Sequence, residues 1–181
     1  MPPGLRKFAL TAHITFSVGW IGAVVGFLAL VIAAITREDA QTLRAVWIAM
    51  ELTGWFAIVP LALASLLTGL VMSLGTRWGL FRHYWVLVSF TLTILATLVL
   101  LSNMQTVSFF AGLAAETNSA DVDELRSGLW GELLHAGAGL LVLIVVQVLN
   151  VYKPRGLTPY GWRKQHEQRT ASPSEDAAIN G

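Results

Sequence analysis

The sequence predicts an all-α fold, an integral membrane antiparallel four-helix transmembrane bundle, and three observations lead there. Of 181 residues, 55% are hydrophobic and only 13% charged, against roughly 25% charged in an ordinary soluble domain. Four apolar segments, residues 8–35, 45–74, 84–104 and 129–152, come near or above the roughly 20 residues with which a helix crosses bilayer hydrocarbon. Arg6, Lys7, Arg77, Arg82, Lys153, Arg155, Arg163 and Lys164 all flank one side of these segments, whereas Arg37, Arg44 and Arg126 on the other are diluted by Glu38, Asp39, Glu116, Asp121, Asp123 and Glu124. Basic flanks are retained in the cytoplasm, so both termini are expected there.

Charge and residue usage exclude several functions. A net charge of +1 is not the basic excess of a nucleic-acid surface, so no nucleic-acid partner is expected. The absence of cysteine removes disulfides, thiolate metal sites, iron–sulfur clusters and a cysteine nucleophile. The four histidines are then the scarce ligands. The N-terminal flank MPPGLRK precedes an apolar run too long for a signal-peptide core, and no small-residue cleavage site follows it, so this run is expected to remain as the first membrane helix.

Within the first segment, Gly19, Gly22, Gly26, Ala29 and Ala33 form a small-residue stripe on which another backbone can approach closely. It serves packing first. The Gly19, Gly22 and Gly26 part is the candidate face for a homo-oligomer or a partner membrane protein. His13, Phe16, Trp20, Val24 and Phe27 share a different face, because residues seven apart nearly superpose on a helix. An imidazole inside a membrane is costly unless it meets a partner, so His13 is a candidate haem ligand or proton carrier, or else a hydrogen-bonded group near the interface.

In the second segment Glu51, Trp55, Ile58, Ala62, Ser65, Gly69 and Ser73 recur at spacings of three or four and belong inside the bundle. Pro60 is expected to kink this helix by removing an amide hydrogen in mid-span. The connection GTRWGLFRHYW then gathers Arg77, Arg82 and His83 beside Trp78, Tyr84 and Trp85. Interfacial anchoring explains this, although Arg82 or His83 could meet an anionic group such as a propionate or a lipid phosphate. On the third segment Ser89, Thr93 and Thr97 form a weakly polar stripe, and each hydroxyl can bond its own helix.

The third connection, residues 102–128, is the longest. Its first half, TVSFFAGLAA, can extend the helix or lie in the interface, and its second half is expected to be soluble. The fourth segment then carries Glu132 and His135 in its first turns. Their i, i+3 spacing puts a carboxylate and an imidazole on one face, as in the Glu-x-x-His pairs of di-iron bundles. Glu51 is the further carboxylate at a similar outer depth, so Glu51, Glu132 and His135 are the candidate metal set. A glutamate in a first turn is also favoured by the helix dipole alone. The stop signal KPRGLTPYGWRK follows, with Tyr160 and Trp162 suited to the headgroup zone. The domain is expected to end at residue 161, with residues 162–181 a disordered cytoplasmic tail.

Depth separates the two histidine sites. His135 is 18 residues before Lys153, or roughly 27 Å at 1.5 Å per residue, while His13 lies roughly 10 Å from the inner charge line. One haem bound by both is not expected.

The stretches HITFSVGWIGAVVGFLAL, PLALASLLTGLVMSLGTRWGLFRHYWVLV, LLHAGAGLLVL and VYKPRGLTPYG resemble a family of predicted bacterial integral membrane proteins of unknown function. That resemblance implies four helices in the bacterial inner membrane. More distantly, a first-helix histidine followed by Gly19-Trp20, with a short basic loop before the third helix, is similar to the copper-resistance D-type proteins and the membrane-bound, haem-binding protoporphyrinogen oxidases. It implies a b-type haem with His13 as first ligand, and Trp20, Arg82 and His83 are the other candidates around it. Those oxidases carry a lysine early in the third helix, and Tyr84 to Ser89 has none.

No complete catalytic constellation emerges from the sequence, so enzymatic activity is left undecided and the reading leans against it. It is a multi-pass membrane protein with a structural, binding or accessory role. The alternatives are a haem- or porphyrin-linked redox protein using His13, and metal-ion or small-solute binding or transport through Glu51, Glu132 and His135.

Overall fold

A computed structural model of the chain describes residues 2–37, 39–75, 80–116, 122–154 and 156–171. Glu38, Arg77, Trp78, Asp121 and Arg155, and residues 172–181 of the expected tail, lie outside the described residues. Four long helices, α1 (Pro3–Thr36), α2 (Ala40–Gly75), α3 (Tyr84–Ala115) and α4 (Val122–Tyr152), are each long and apolar enough to cross a membrane. They pack as a four-helix membrane bundle in which each helix neighbours the next in sequence and α4 returns to α1. Contacts between helix ends establish the antiparallel order: the start of α1 meets the end of α2 through His13 and Thr68, and the start of α2 meets the start of α4 through Trp47 and Leu125.

Local chemistry sets the boundaries. Pro3 starts α1, where a missing amide hydrogen removes no helical bond. Asp39 caps α2 by accepting a hydrogen bond from the Thr42 amide at 2.7 Å. The effect of Pro60 appears one turn earlier, as a π-helical turn over Gly54–Ile58 inside α2. Proline has no hydrogen for the carbonyl four residues back and its ring crowds that carbonyl, so the backbone widens and the Val59 amide reaches back to the Gly54 carbonyl. The glycine eases the fit there, because a Cβ would overlap the Met104 thioether of α3 and oblige that side chain to shift.

The stretch TVSFFAGLAA continues the helix before the third connection, one of its two expected outcomes, and the helix after it starts earlier than the sequence suggests. α3 runs on to Ala115 and α4 begins at Val122, so the expected soluble half contributes a helical start. Val122, Leu125 and Leu129 recur at helical spacing there, and Leu125 and Leu129 are fully buried. Their burial outweighs the acidic residues between them, which remain on the exposed face.

Most of the largest fully buried side chains lie at this end of the bundle. Trp47 is completely buried, stacks on Phe110 at 4.6 Å between ring centroids and donates its indole hydrogen to the Leu125 carbonyl at 3.1 Å. Leu43, Met50, Met104, Val107, Leu125 and Leu129 belong to the same buried core.

At the opposite end, α4 stops where Lys153 takes a left-handed conformation, φ 45°, ahead of Pro154. A fifth helix, α5 (Pro159–Ala171), follows in the segment for which composition suggests disorder. Its start explains it: the Thr158 hydroxyl accepts from the Gly161 amide at 3.1 Å, a side-chain cap followed directly by proline. Lys164 and Glu167 add an i, i+3 ion pair at 3.3 Å. This segment is pinned to the start of α3, where His83 pairs with Leu157 and the Thr158 amide donates to the Arg82 carbonyl at 3.1 Å.

Candidate functional site: an apolar chamber with one polar end

Between the packed end and the middle of the bundle the helices enclose a chamber of about 360 Å³. α1 contributes Trp20, Val24 and Phe27, the π turn of α2 contributes Ile58, and α3 and α4 supply the remaining walls. The wall residues on α1 repeat at spacings of three and four, which directs them to one side of the helix. On α3, Leu95 and Val99 belong to the wall and yet are 52% and 53% exposed. The chamber therefore reaches the lipid-facing surface along that helix.

Apart from the Trp20 indole, the polar side chains in the wall are Asn103 and His135. Asn103 donates from Nδ2 to Glu132 Oε2 at 2.9 Å, which ties α3 to α4. Glu132 itself is 2% exposed. A buried carboxylate needs such a donor, since an unsatisfied one in an apolar interior is strongly destabilising. His135 follows one turn along the same face of α4, is half-buried, and makes no hydrogen bond among the described residues.

Glu132 and His135 thus sit deeper than their segment suggests. α4 starts at Val122, so Glu132 is ten residues in, roughly 15 Å from the helix start. Its partner is Asn103, and Glu51 is a half-buried residue of α2 with no hydrogen bond to Glu132 or His135 among the described residues. Among the described residues, no group of three or more His, Cys, Asp or Glu side chains is placed to hold a metal ion.

His13 belongs to a separate cluster. Its Nδ1 lies 3.2 Å from the Ser65 carbonyl and 3.1 Å from the Thr68 hydroxyl. A carbonyl can only accept, so Nδ1 carries the hydrogen. The Thr68 hydroxyl donates onward to the Ala64 carbonyl at 2.6 Å, and Ser17 and Ser65 share a bond of 2.8 Å. Gly69 seats the imidazole: a Cβ there would lie 3.1 Å from His13 Cε1.

The four residues considered around a haem are divided among three places. Trp20, two turns and about 10 Å along α1 from His13, lines the chamber. Arg82 and His83 form the turn before α3, and their backbone holds the segment entering α5. Of the glycine stripe, Gly19 packs on Leu61 of α2, while a Cβ at Gly22 or Gly26 would meet nothing within 4 Å.

Asn103, Thr68 and the seating role of Gly69 escape a reading of the sequence. Asn103 carries a faint signal, as an amide inside an apolar run. Its pairing with Glu132 depends on the register between α3 and α4, which no single segment encodes.

Comparison with protein-family models, with curated proteins and with solved structures gives no match. Fold and site together define a multi-pass membrane protein whose bundle contains an apolar chamber with a polar end.

Proposed function

We propose that the chain is a binding protein of the bilayer, one that takes a lipid-soluble small molecule into the chamber between α1, α3 and α4. The observation that carries this reading is the chamber's combination of apolar walls, a polar end at Asn103 and His135, and a side along Leu95 and Val99 that meets lipid. Pockets of about 300 Å³ and above, apolar with a few converging polar groups, are the usual form of small-molecule sites. An engineered apolar cavity of about 150 Å³ already takes benzene.

The reading includes an orientation, with the end bearing α5 in the cytoplasm and the packed end outside, in a bacterial inner membrane. Arg6, Lys7, Arg82, Lys153, Arg163 and Lys164 support it, since the contacts of Leu157 and Thr158 gather the α3 start and the α5 start at one end. Basic residues concentrate on the cytoplasmic side of membrane proteins.

Photolabelling in nanodiscs with a diazirine-bearing octane tests the binding role. Labelling of Trp20 and Leu143, in the chamber wall, is expected to saturate with probe, whereas labelling of the lipid-facing Leu134 and Leu141 rises in proportion to it. Gly139 lines the chamber, and a Cβ there would meet nothing within 4 Å. Gly139→Leu therefore fills the space and is expected to abolish the saturable component. Proportional labelling at every position would remove the reading.

A further inference from the structure

The chamber's polar end also specifies the head group of its occupant, an inference that rests on the binding role proposed above. The geometry points to an apolar molecule ending in a hydroxyl, an alcohol or phenol, whose oxygen lies between Asn103 and His135.

Hydrogen-bonding capacity leads to this class. Asn103 gives Nδ2 to Glu132, and its Oδ1, which can only accept, has no protein donor among the described residues. His135, in the same wall, has no protein partner among the described residues, and a neutral imidazole offers one N–H donor. The unmet capacity at this end thus includes acceptors, Asn103 Oδ1 and the bare ring nitrogen of His135, and donors, the His135 N–H and the second Asn103 N–H. A hydroxyl meets one group of each kind with a single oxygen, donating to Asn103 Oδ1 and accepting from His135.

Other heads match less well. A ketone or ester carbonyl could accept from His135 but would leave Asn103 Oδ1 bare, and a buried acceptor without a donor is destabilising. A carboxylate or phosphate would meet no Lys or Arg in the wall and would lie beside the Glu132 carboxylate. A purely apolar molecule would leave both Asn103 and His135 unsatisfied.

The same nanodisc experiment, run with a diazirine-bearing octanol beside the diazirine-bearing octane, tests the assignment. Half-saturation is compared as mole fraction in the lipid, so that unequal partitioning of the two probes cancels. The alcohol is expected to saturate Trp20 and Leu143 labelling at about tenfold lower mole fraction, the scale of one hydrogen bond made rather than lost. Asn103→Leu and His135→Leu should each reduce that preference and leave saturable labelling by octane in place.

Saturable labelling by both probes at equal mole fraction would overturn the hydroxyl assignment while sparing the binding role. Saturable labelling by neither would overturn both. A preference that survives in both variants would overturn the assignment to Asn103 and His135. The wild-type comparison of the two probes stands even where Asn103→Leu, which strips Glu132 of its donor, fails to fold.

Discussion

Single atoms decide the packing at Gly128. A Cβ there would lie 2.8 Å from Phe110 Cζ and 3.0 Å from Trp47 Cζ2, and those rings are stacked on each other. Neither ring can turn aside without breaking the stack or the bond from Trp47 to Leu125. Gly128→Ala is therefore expected to destabilise the protein by about 1–3 kcal/mol, the usual effect of overpacking a core. Gly137→Ala, where a Cβ meets nothing within 4 Å, serves as the control and should be neutral. Thermal unfolding in detergent, followed by Trp fluorescence, measures both. Gly69 shows the same principle on a polar group, since a side chain there would press on the His13 ring at 3.1 Å.

At the scale of the element, the start of α2 depends on one carboxylate. The hydrogen bond from the Thr42 amide holds the Asp39 carboxyl below its ordinary value of 3.8, because the bond favours the charged form. With the folded pKa lower than the unfolded one, the cap's contribution is complete above about pH 4 and is lost as acid titrates the group. Hydrogen exchange at the Thr42 amide is accordingly expected to lose protection on acidification below about pH 4. Asp39→Asn, which keeps an accepting oxygen without a titratable group, should show no such step.

The elements themselves were largely legible in the sequence, because a bilayer demands long apolar runs and little else on this chain resembles one. The ends were less so. Hydropathy alone treats the acidic start of α4 as solvent-facing, and the burial of Leu125 and Leu129 becomes visible only when Trp47 of α2 is set against them. Pro60 announced a disturbance in α2, but its form, a π turn seated on Met104 through Gly54, required the position of α3. For the site, the face shared by His13 and Trp20 was correctly periodic. Two helical turns along the axis nevertheless carry the two side chains to different neighbours, His13 to Ser65 and Thr68 and Trp20 to the chamber.

For the molecule as a whole, binding and stability are linked, because whatever occupies the chamber stabilises the folded state by mass action. A long-chain alcohol at about ten times its dissociation constant should add about 1.4 kcal/mol and raise the unfolding temperature. Gly139→Leu, with the space already filled, is expected to show no such rise. A scan of unfolding temperature against 1-octanol, in wild type and variant, makes the comparison; equal shifts in both would mean that the alcohol acts through the surrounding lipid.

The contrast between the Trp47 end and the chamber has a mechanical side. Close-packed protein interiors resist compression, and pressure acts chiefly on internal voids. In this bundle a void of about 360 Å³ lies between α1, α3 and α4, beside the buried core around the stacked rings of Trp47 and Phe110. An empty chamber makes the molecule soft there, and an occupant makes it hard. The lateral pressure of the bilayer, pressing on Leu95 and Val99 from outside, therefore bears on a wall whose compliance depends on what stands behind it.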